Sequence, residues 1–398
     1  MDARISRRSF VKLSLAALVS VSAPVSAFLS ACSRSTRVPF ADTTPRVYGA
    51  DDPDILYTGR IDFTDAAQPR FSAPGVCIRA RFRGTAAAVM LADEFKWGTN
   101  RNYYDVLIDD TTVVKLAPEQ SVTRYEVAAG LPNGEHTINV VKRTEASIGA
   151  CTFQGFEFAG QILPAPERPG RRIEFIGDSI TCGAGNEARV DSDQCAEDGW
   201  GQPYNNVRLS YGPVLAGSLG AECHVSAVSG IGLIRNYSSQ YDARPMPEVY
   251  DLLFFERTDS PAWDSSRYVP DVVVIALGTN DFSPGDSDRP IMEVDAWAAA
   301  CTRFIDRLRG YYPDATIFCA SSPMLGDNWP TSAYKSATDQ KTAIAKVVKA
   351  FNESGDARIY QFFASPIVGM GCGTHPNVSQ HATMASQLGS FIASVMGW

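Results

Sequence analysis

The sequence predicts an α/β protein in two halves: an antiparallel β-sandwich, then a three-layer α/β/α domain on a parallel sheet. Three observations carry that expectation. From about residue 47 to 160, apolar and polar residues alternate in short segments punctuated by Gly, Pro, Asp and Asn, as in antiparallel strands buried on one face. After residue 172, continuous apolar runs alternate with stretches of helical period, as in a parallel sheet covered on both sides. Between them, Leu163-Pro-Ala-Pro-Glu-Arg-Pro-Gly170 is a linker by composition.

The elements follow in order. In the first half, Tyr57–Phe63, Val76–Phe82, Tyr104–Asp109 and Gly134–Lys142 read as strands, and the charges at their alternate positions as a solvated face. In the second, Ile173–Ile176, Cys223–Val228, Val272–Leu277, Thr316–Ala320 and Ile359–Phe363 read as buried strands. Helices are expected over Ser210–Leu219, Val294–Arg309, Ala333–Asn352 and Ser379–Met396. In Val294–Arg309 the residues Trp297, Cys301, Phe304, Ile305 and Leu308 share one face at the 3–4 spacing. The expected organisation is a signal at 1–31, a tether at 32–46, the sandwich at 47–162, the linker at 163–171 and the second domain at 172–398.

The leader carries Arg7-Arg8 ahead of a moderately apolar, Ser/Ala-rich run, which reads as a twin-arginine export signal and not as a membrane span. Leu29-Ser30-Ala31-Cys32 resembles a bacterial lipobox, so cleavage before Cys32 and lipidation of its thiol are expected. A peptidase cut after Val25-Ser26-Ala27 is the alternative. The expected location is the cell envelope, with a water-facing body whose only contact with the membrane is the lipid.

Composition narrows the chemistry. The 398 residues are 45% hydrophobic and 20% charged, ordinary for a folded chain. The formal charge of −8 argues against a nucleic-acid partner, which requires concentrated Lys and Arg. Four scattered histidines, His136, His224, His375 and His381, do not make a multi-His metal site, and no CxxC pair suggests zinc. Of the eight cysteines beyond Cys32, Cys182 and Cys195 flank a polar loop and are the expected disulfide.

Parallel α/β sheets place ligands beyond the carboxyl ends of their strands. Gly177-Asp-Ser179 follows the first run, Ser229-Gly230-Ile-Gly232 the second, Gly278-Thr-Asn280-Asp281 the third, and Cys372-Gly-Thr-His375-Pro-Asn377 precedes the last helix. Each alone is more often a cap, a turn or a surface loop. Together they supply a hydroxyl nucleophile in Ser179, a base in His375, and oxyanion donors in the Ser179 and Gly230 N–H groups and the Asn280 amide.

These four motifs resemble the SGNH (GDSL-type) hydrolase superfamily. With Val141-Lys-Arg-Thr-Glu-Ala-Ser-Ile-Gly149, Glu174–Gly183, Ser229–Tyr237 and Val269–Asp281, the chain is similar to carbohydrate esterase family 2, in which a jelly-roll sandwich precedes an SGNH domain. The resemblance spans about residues 47–398. It implies a serine esterase that removes O-acetyl groups from xylan or a related carbohydrate, with no metal or organic cofactor. Trp263 stands where the family has an active-site aromatic, so it is a candidate for stacking on sugar, with Trp200 and Trp329 as further candidates. The carboxylate usual two or three residues before the histidine is replaced by Gly373 and Cys372, so the sequence does not show what orients the His375 ring; a backbone carbonyl can hold its Nδ1–H instead, giving a Ser–His dyad. The alternatives are a lipase or thioesterase on non-sugar esters, and a non-catalytic glycan-binding surface lipoprotein.

Overall fold

A computed structural model of the chain describes residues 43–398 apart from 97, 99, 190–194, 196–201, 238–243 and 286–288. The export segment, Cys32 and Trp200 lie outside the described residues.

The first half contains β1 (Pro45–Gly49), β2 (Leu56–Thr58), β3 (Arg70–Phe71), β4 (Cys77–Asp93), β5 (Tyr104–Ile108), β6 (Thr112–Leu116), β7 (Arg124–Ala128), β8 (Gly134–Lys142) and β9 (Cys151–Leu163). All pair antiparallel, in the order β1-β9-β4-β8-β5-β6, with β2 and β7 on β4 and β3 on β9. The long strand β4 joins the layers: it pairs with β8 over its first half and with β7 further on, and its register shifts between Gly84 and Ala87. Alternate residues Ile78, Ala80 and Phe82 of β4 are buried with Phe153, Phe156 and Phe158 of β9. Phe82 and Phe158 stack with centroids 4.3 Å apart.

The expected Tyr57–Phe63 strand is cut short at Thr58, because Gly59 (φ 114°) turns the chain. The turn carries Arg60 out of the expected solvated face and into the seam with the second half, where it is fully buried. It pairs with Glu174 (3.7 Å), donates to the Ser226 hydroxyl (3.1 Å) and to the Tyr250 carbonyl (2.6 Å).

The second half holds β10 (Arg171–Gly177), β11 (Ala221–Ala227), β12 (Val272–Ala276), β13 (Thr316–Ala320) and β14 (Ile359–Phe362), parallel in the order β11-β10-β12-β13-β14. The helices are α1 (Ser179–Cys182), α2 (Tyr211–Ser218), α3 (Met246–Val249), α4 (Thr279–Phe282), α5 (Val294–Tyr311), α6 (Ser336–Glu353) and α7 (Val378–Met396). Helices α2 and α7 bury Leu215, Leu388 and Ile392 in one cluster with Ile173, Phe175 and Phe318 of the sheet. Helices α5 and α6 cover the other face, with Trp297, Phe304, Ile305, Ile344 and Val347 against Val273, Ile275 and Ile317. Both faces of the sheet are therefore apolar, which is why its strands read as continuous runs.

Candidate active site

The site is built on one register. Gly177 ends β10 and pairs with Ala227 of β11 on one side and Ala276 of β12 on the other. Ser179, Gly230 and Asn280 each follow that row within a few residues, so three neighbouring strand ends deliver them together.

Ser179 opens α1. Asp178 caps that helix, its carboxylate accepting the Ile180 N–H at 3.0 Å. Burial pushes the Asp178 carboxyl up to about 6. The capped turn leaves the Ser179 Oγ 2.7 Å from His375 Nε2. The opposite ring nitrogen, Nδ1, lies 2.9 Å from the Cys372 carbonyl. That carbonyl occupies the role a carboxylate usually fills: with Nδ1 protonated, Nε2 is left to accept the hydroxyl proton. Burial lowers the His375 pKa below the ordinary imidazole value, against a smaller upward pull from the backbone carbonyls, so the ring is neutral at neutral pH.

The other histidines are occupied elsewhere. His136 meets Asp109 (2.7 Å) in the sandwich, His224 packs against Trp263 and Tyr268, and His381 accepts the Tyr211 N–H (3.2 Å).

The His375 loop carries the disulfide, and it is not the expected one. Cys195 bonds Cys372, 177 residues away, while Cys182 is fully buried among Val207, Val225 and Ala227. Cys182 sits inside α1 against the sheet, so it acts as a small apolar side chain and cannot reach a loop cysteine. Gly185 lies directly against the bridge: a Cβ there would sit 2.3 Å from that of Cys372, and its φ is 57°. The Cys372 N–H donates to the Gly185 carbonyl (3.1 Å) and the His375 N–H to the Cys372 carbonyl (3.1 Å). Just beyond, Asn377 caps α7 through a reciprocal capping box with Gln380.

The residues expected to supply oxyanion donors are held by polar contacts. Asn280 Nδ2 donates to the Ile231 carbonyl at 2.7 Å, which fixes the amide and leaves its second N–H for a ligand. Asp281 carries no expected role from the sequence. Its carboxylate accepts the N–H groups of Leu233 (2.9 Å), Ile234 (2.7 Å) and Arg235 (3.1 Å), tying the β12 motif to the loop after β11. Such a row of successive amides is a signature that spacing alone does not reveal. Gly230 adopts φ 75°, a conformation that favours glycine.

Trp263 does not line this site. It is 8% exposed, with His224 edge-on at 5.4 Å and the Arg60 guanidinium 5.1 Å from its ring centre. Its ring is used to seal the seam between the halves, so it offers no free face to a sugar. Trp329 is 62% exposed on the loop after β13.

Among the described residues, no group of three or more His, Cys, Asp or Glu is placed to hold a metal ion.

The family model "Carbohydrate esterase 2 N-terminal" matches residues 57–166, and the model for the GDSL-like lipase/acylhydrolase family matches residues 175–382. The cellulase/esterase CelE of Acetivibrio thermocellus is 36% identical over 87% of this chain, which spans 40% of that relative's length. An acetylxylan esterase / glucomannan deacetylase of Cellvibrio japonicus is 31% identical over 93% of this chain and 96% of its own. The solved family two carbohydrate esterase from Clostridium thermocellum, in complex with cellohexaose, superposes with a TM-score of 0.77 at 33% identity, over 86% of this chain and 99% of that one. With both halves matched in order around a serine and a histidine 2.7 Å apart, the chain belongs to carbohydrate esterase family 2.

Proposed function

We propose that this protein removes O-acetyl groups from acetylated xylan or a related carbohydrate through an acetyl-enzyme on Ser179. The observation that carries the proposal is the Ser179 Oγ–His375 Nε2 contact of 2.7 Å at the carboxyl edge of the sheet. The Ser179 oxygen attacks the acetyl carbonyl carbon while His375 Nε2 takes its proton. The Ser179 and Gly230 N–H groups and the Asn280 amide stabilise the oxyanion, each donor contributing roughly 10²–10³ in rate. Collapse breaks the ester bond, and His375 returns the proton to the sugar oxygen. Water, deprotonated by the same ring, then releases acetate and restores Ser179. The Cys372 carbonyl orients the ring and stabilises its protonated form through Nδ1–H. Similarity to an acetylxylan esterase / glucomannan deacetylase over nearly the whole chain supports a carbohydrate as the substrate.

The test is Ser179→Ala, assayed for acetate release from acetylated xylo-oligosaccharides. We expect loss of more than about 10³-fold in kcat. Undiminished release by a folded variant rejects the assignment.

Arg7-Arg8 and Cys32 support export and lipid anchoring of the same chain at the cell envelope. Cys32→Ala is expected to release the protein from the membrane fraction; retention there rejects the anchor.

A further inference from the structure

We infer that Glu145, supplied by the sandwich half, is a positioning residue for ester hydrolysis: it fixes the turn at Val228–Ile231 so that the Gly230 N–H is presented to the reacting carbonyl. The inference rests on the proposed oxyanion role of Gly230.

The turn is closed by the Ile231 N–H donating to the Val228 carbonyl at 3.3 Å. Ser229 and Gly230 are its two central residues, and the positive φ of Gly230, 75°, is the mark of a type II turn. Types I and II differ in which way the peptide between the central residues is turned over. That peptide is the one whose N–H belongs to Gly230. Glycine at the second central position favours the type II sense, and whatever holds the first central residue places the Cα on which that peptide pivots.

Most other parts of the turn are tied to the catalytic half itself. The Val228 N–H donates to the Gly177 carbonyl (3.3 Å), the Gly230 carbonyl accepts the Tyr237 N–H (2.8 Å), and the Ile231 carbonyl accepts from Asn280 (2.7 Å). Ser229 is tied to the sandwich instead. Its N–H donates to Glu145 Oε2 at 3.2 Å and its hydroxyl to Oε1 at 2.5 Å. Both carboxylate oxygens thus hold Ser229 through its N–H and its side chain, which fixes its Cα; the peptide carrying the Gly230 N–H pivots on that Cα, so Glu145 sets where the donor lies while Gly230 sets the sense of the turn.

Glu145 is itself set firmly. It is 6% exposed, its carbonyl accepts the buried Lys142 ammonium at 2.9 Å, and it begins the helical turn Ala146–Ile148, whose Ala146 and Ile148 are buried. Arg143, two residues earlier, donates to Asp105 (2.8 Å) within the sandwich and to the Asn205 carbonyl (3.3 Å) of the second half. One connection between β8 and β9 therefore grips the catalytic half at two points, and the Glu145 point is adjacent in sequence to an oxyanion donor.

The test compares Glu145→Ala, Glu145→Gln and Ser229→Ala in the full chain, on acetylated xylo-oligosaccharide. Glu145→Ala is expected to lower kcat about 10- to 100-fold, the scale of a misaligned donor, with KM changed by less than about threefold. Glu145→Gln keeps an acceptor for the Ser229 N–H and is expected to restore most of the loss. A role in packing alone lowers the unfolding midpoint without this split between kcat and KM and without rescue by Gln. If Glu145→Ala does not fold, Ser229→Ala decides, with an expected kcat loss of about three- to tenfold. A folded Glu145→Ala protein with wild-type kcat overturns the inference, as does an unchanged kcat in Ser229→Ala in that second case. Failure of the esterase reading is distinguishable, because the wild type then shows no Ser179-dependent release of acetate.

Discussion

The two halves of the Ser179–His375 pair are held in different ways. Ser179 stands two residues past a strand paired on both sides, under a helix cap from Asp178. Its position follows from the sheet, and the sheet is buried on both faces. His375 stands on a long connection after the edge strand β14. No ladder positions it. A disulfide to Cys195, contacts with Gly185 and the capped start of α7 do so instead. The difference teaches where the site is vulnerable. Changes on the serine side must unfold the core or remove a reacting group, whereas the histidine side depends on a few identifiable ties.

The largest expected effect after loss of the nucleophile falls on the sheet-held side. Asn280→Ala removes one proposed oxyanion donor and also frees the Ile231 carbonyl. A kcat loss of roughly 10²–10³ with little change in KM is expected from steady-state assays. A loss confined to KM contradicts the assigned role.

The histidine side is probed by Cys195→Ser, which opens the bridge but leaves the Cys372 carbonyl in the chain. The expected result is a kcat about 5- to 50-fold lower, reproduced by reducing the wild-type disulfide. Wild-type kcat in both samples shows that the backbone contacts suffice without the crosslink.

The pH profile sharpens the same contrast. The base must be neutral to accept the Ser179 proton, and burial lowers the His375 pKa. Activity is therefore lost as pH falls through the folded value, and the acid limb of kcat/KM is expected below about 6.5, the ordinary imidazole value. An acid limb above that value contradicts the buried, carbonyl-held ring.

The smallest effect is expected at the seam. Trp263→Phe alters packing against His224 and Arg60, so the unfolding midpoint falls while KM for acetylated oligosaccharide stays within about twofold. A large rise in KM instead restores the sugar-stacking role that the sequence suggested.

Much of the catalytic half was legible in the sequence. The strand Thr316–Ala320 and the apolar face Trp297, Cys301, Phe304, Ile305 and Leu308 coincide with the structure, because burial on one face or both writes a local period. In the sandwich, Gly134–Lys142 coincides too, whereas β9 carries no clear strand period in the sequence: Gly155 interrupts the alternation of its phenylalanines. The strand-end motifs point to Ser179, which stands next to the strand that positions it, and to His375, which stands just before α7 although its other ties, to Cys195 and Gly185, are remote in sequence. What stayed hidden was non-local. Arg60 looked like a surface charge because its partner Glu174 is far along the chain. The partner of Cys195 is equally remote, and the nearer Cys182 was the wrong choice. Glu145 was visible only as one letter of a family motif, since its contact with Ser229 needs both halves folded together.

The central claim, a nucleophilic Ser179 activated by His375, is tested most directly by labelling with a serine-directed organophosphonate, followed by peptide mass spectrometry and residual-activity assay on the same sample. One phosphonyl group on the peptide containing Ser179, rising in step with loss of acetate release and absent in His375→Ala, is the predicted result. Full loss of activity with the label on another residue, or full activity with Ser179 labelled, contradicts the account.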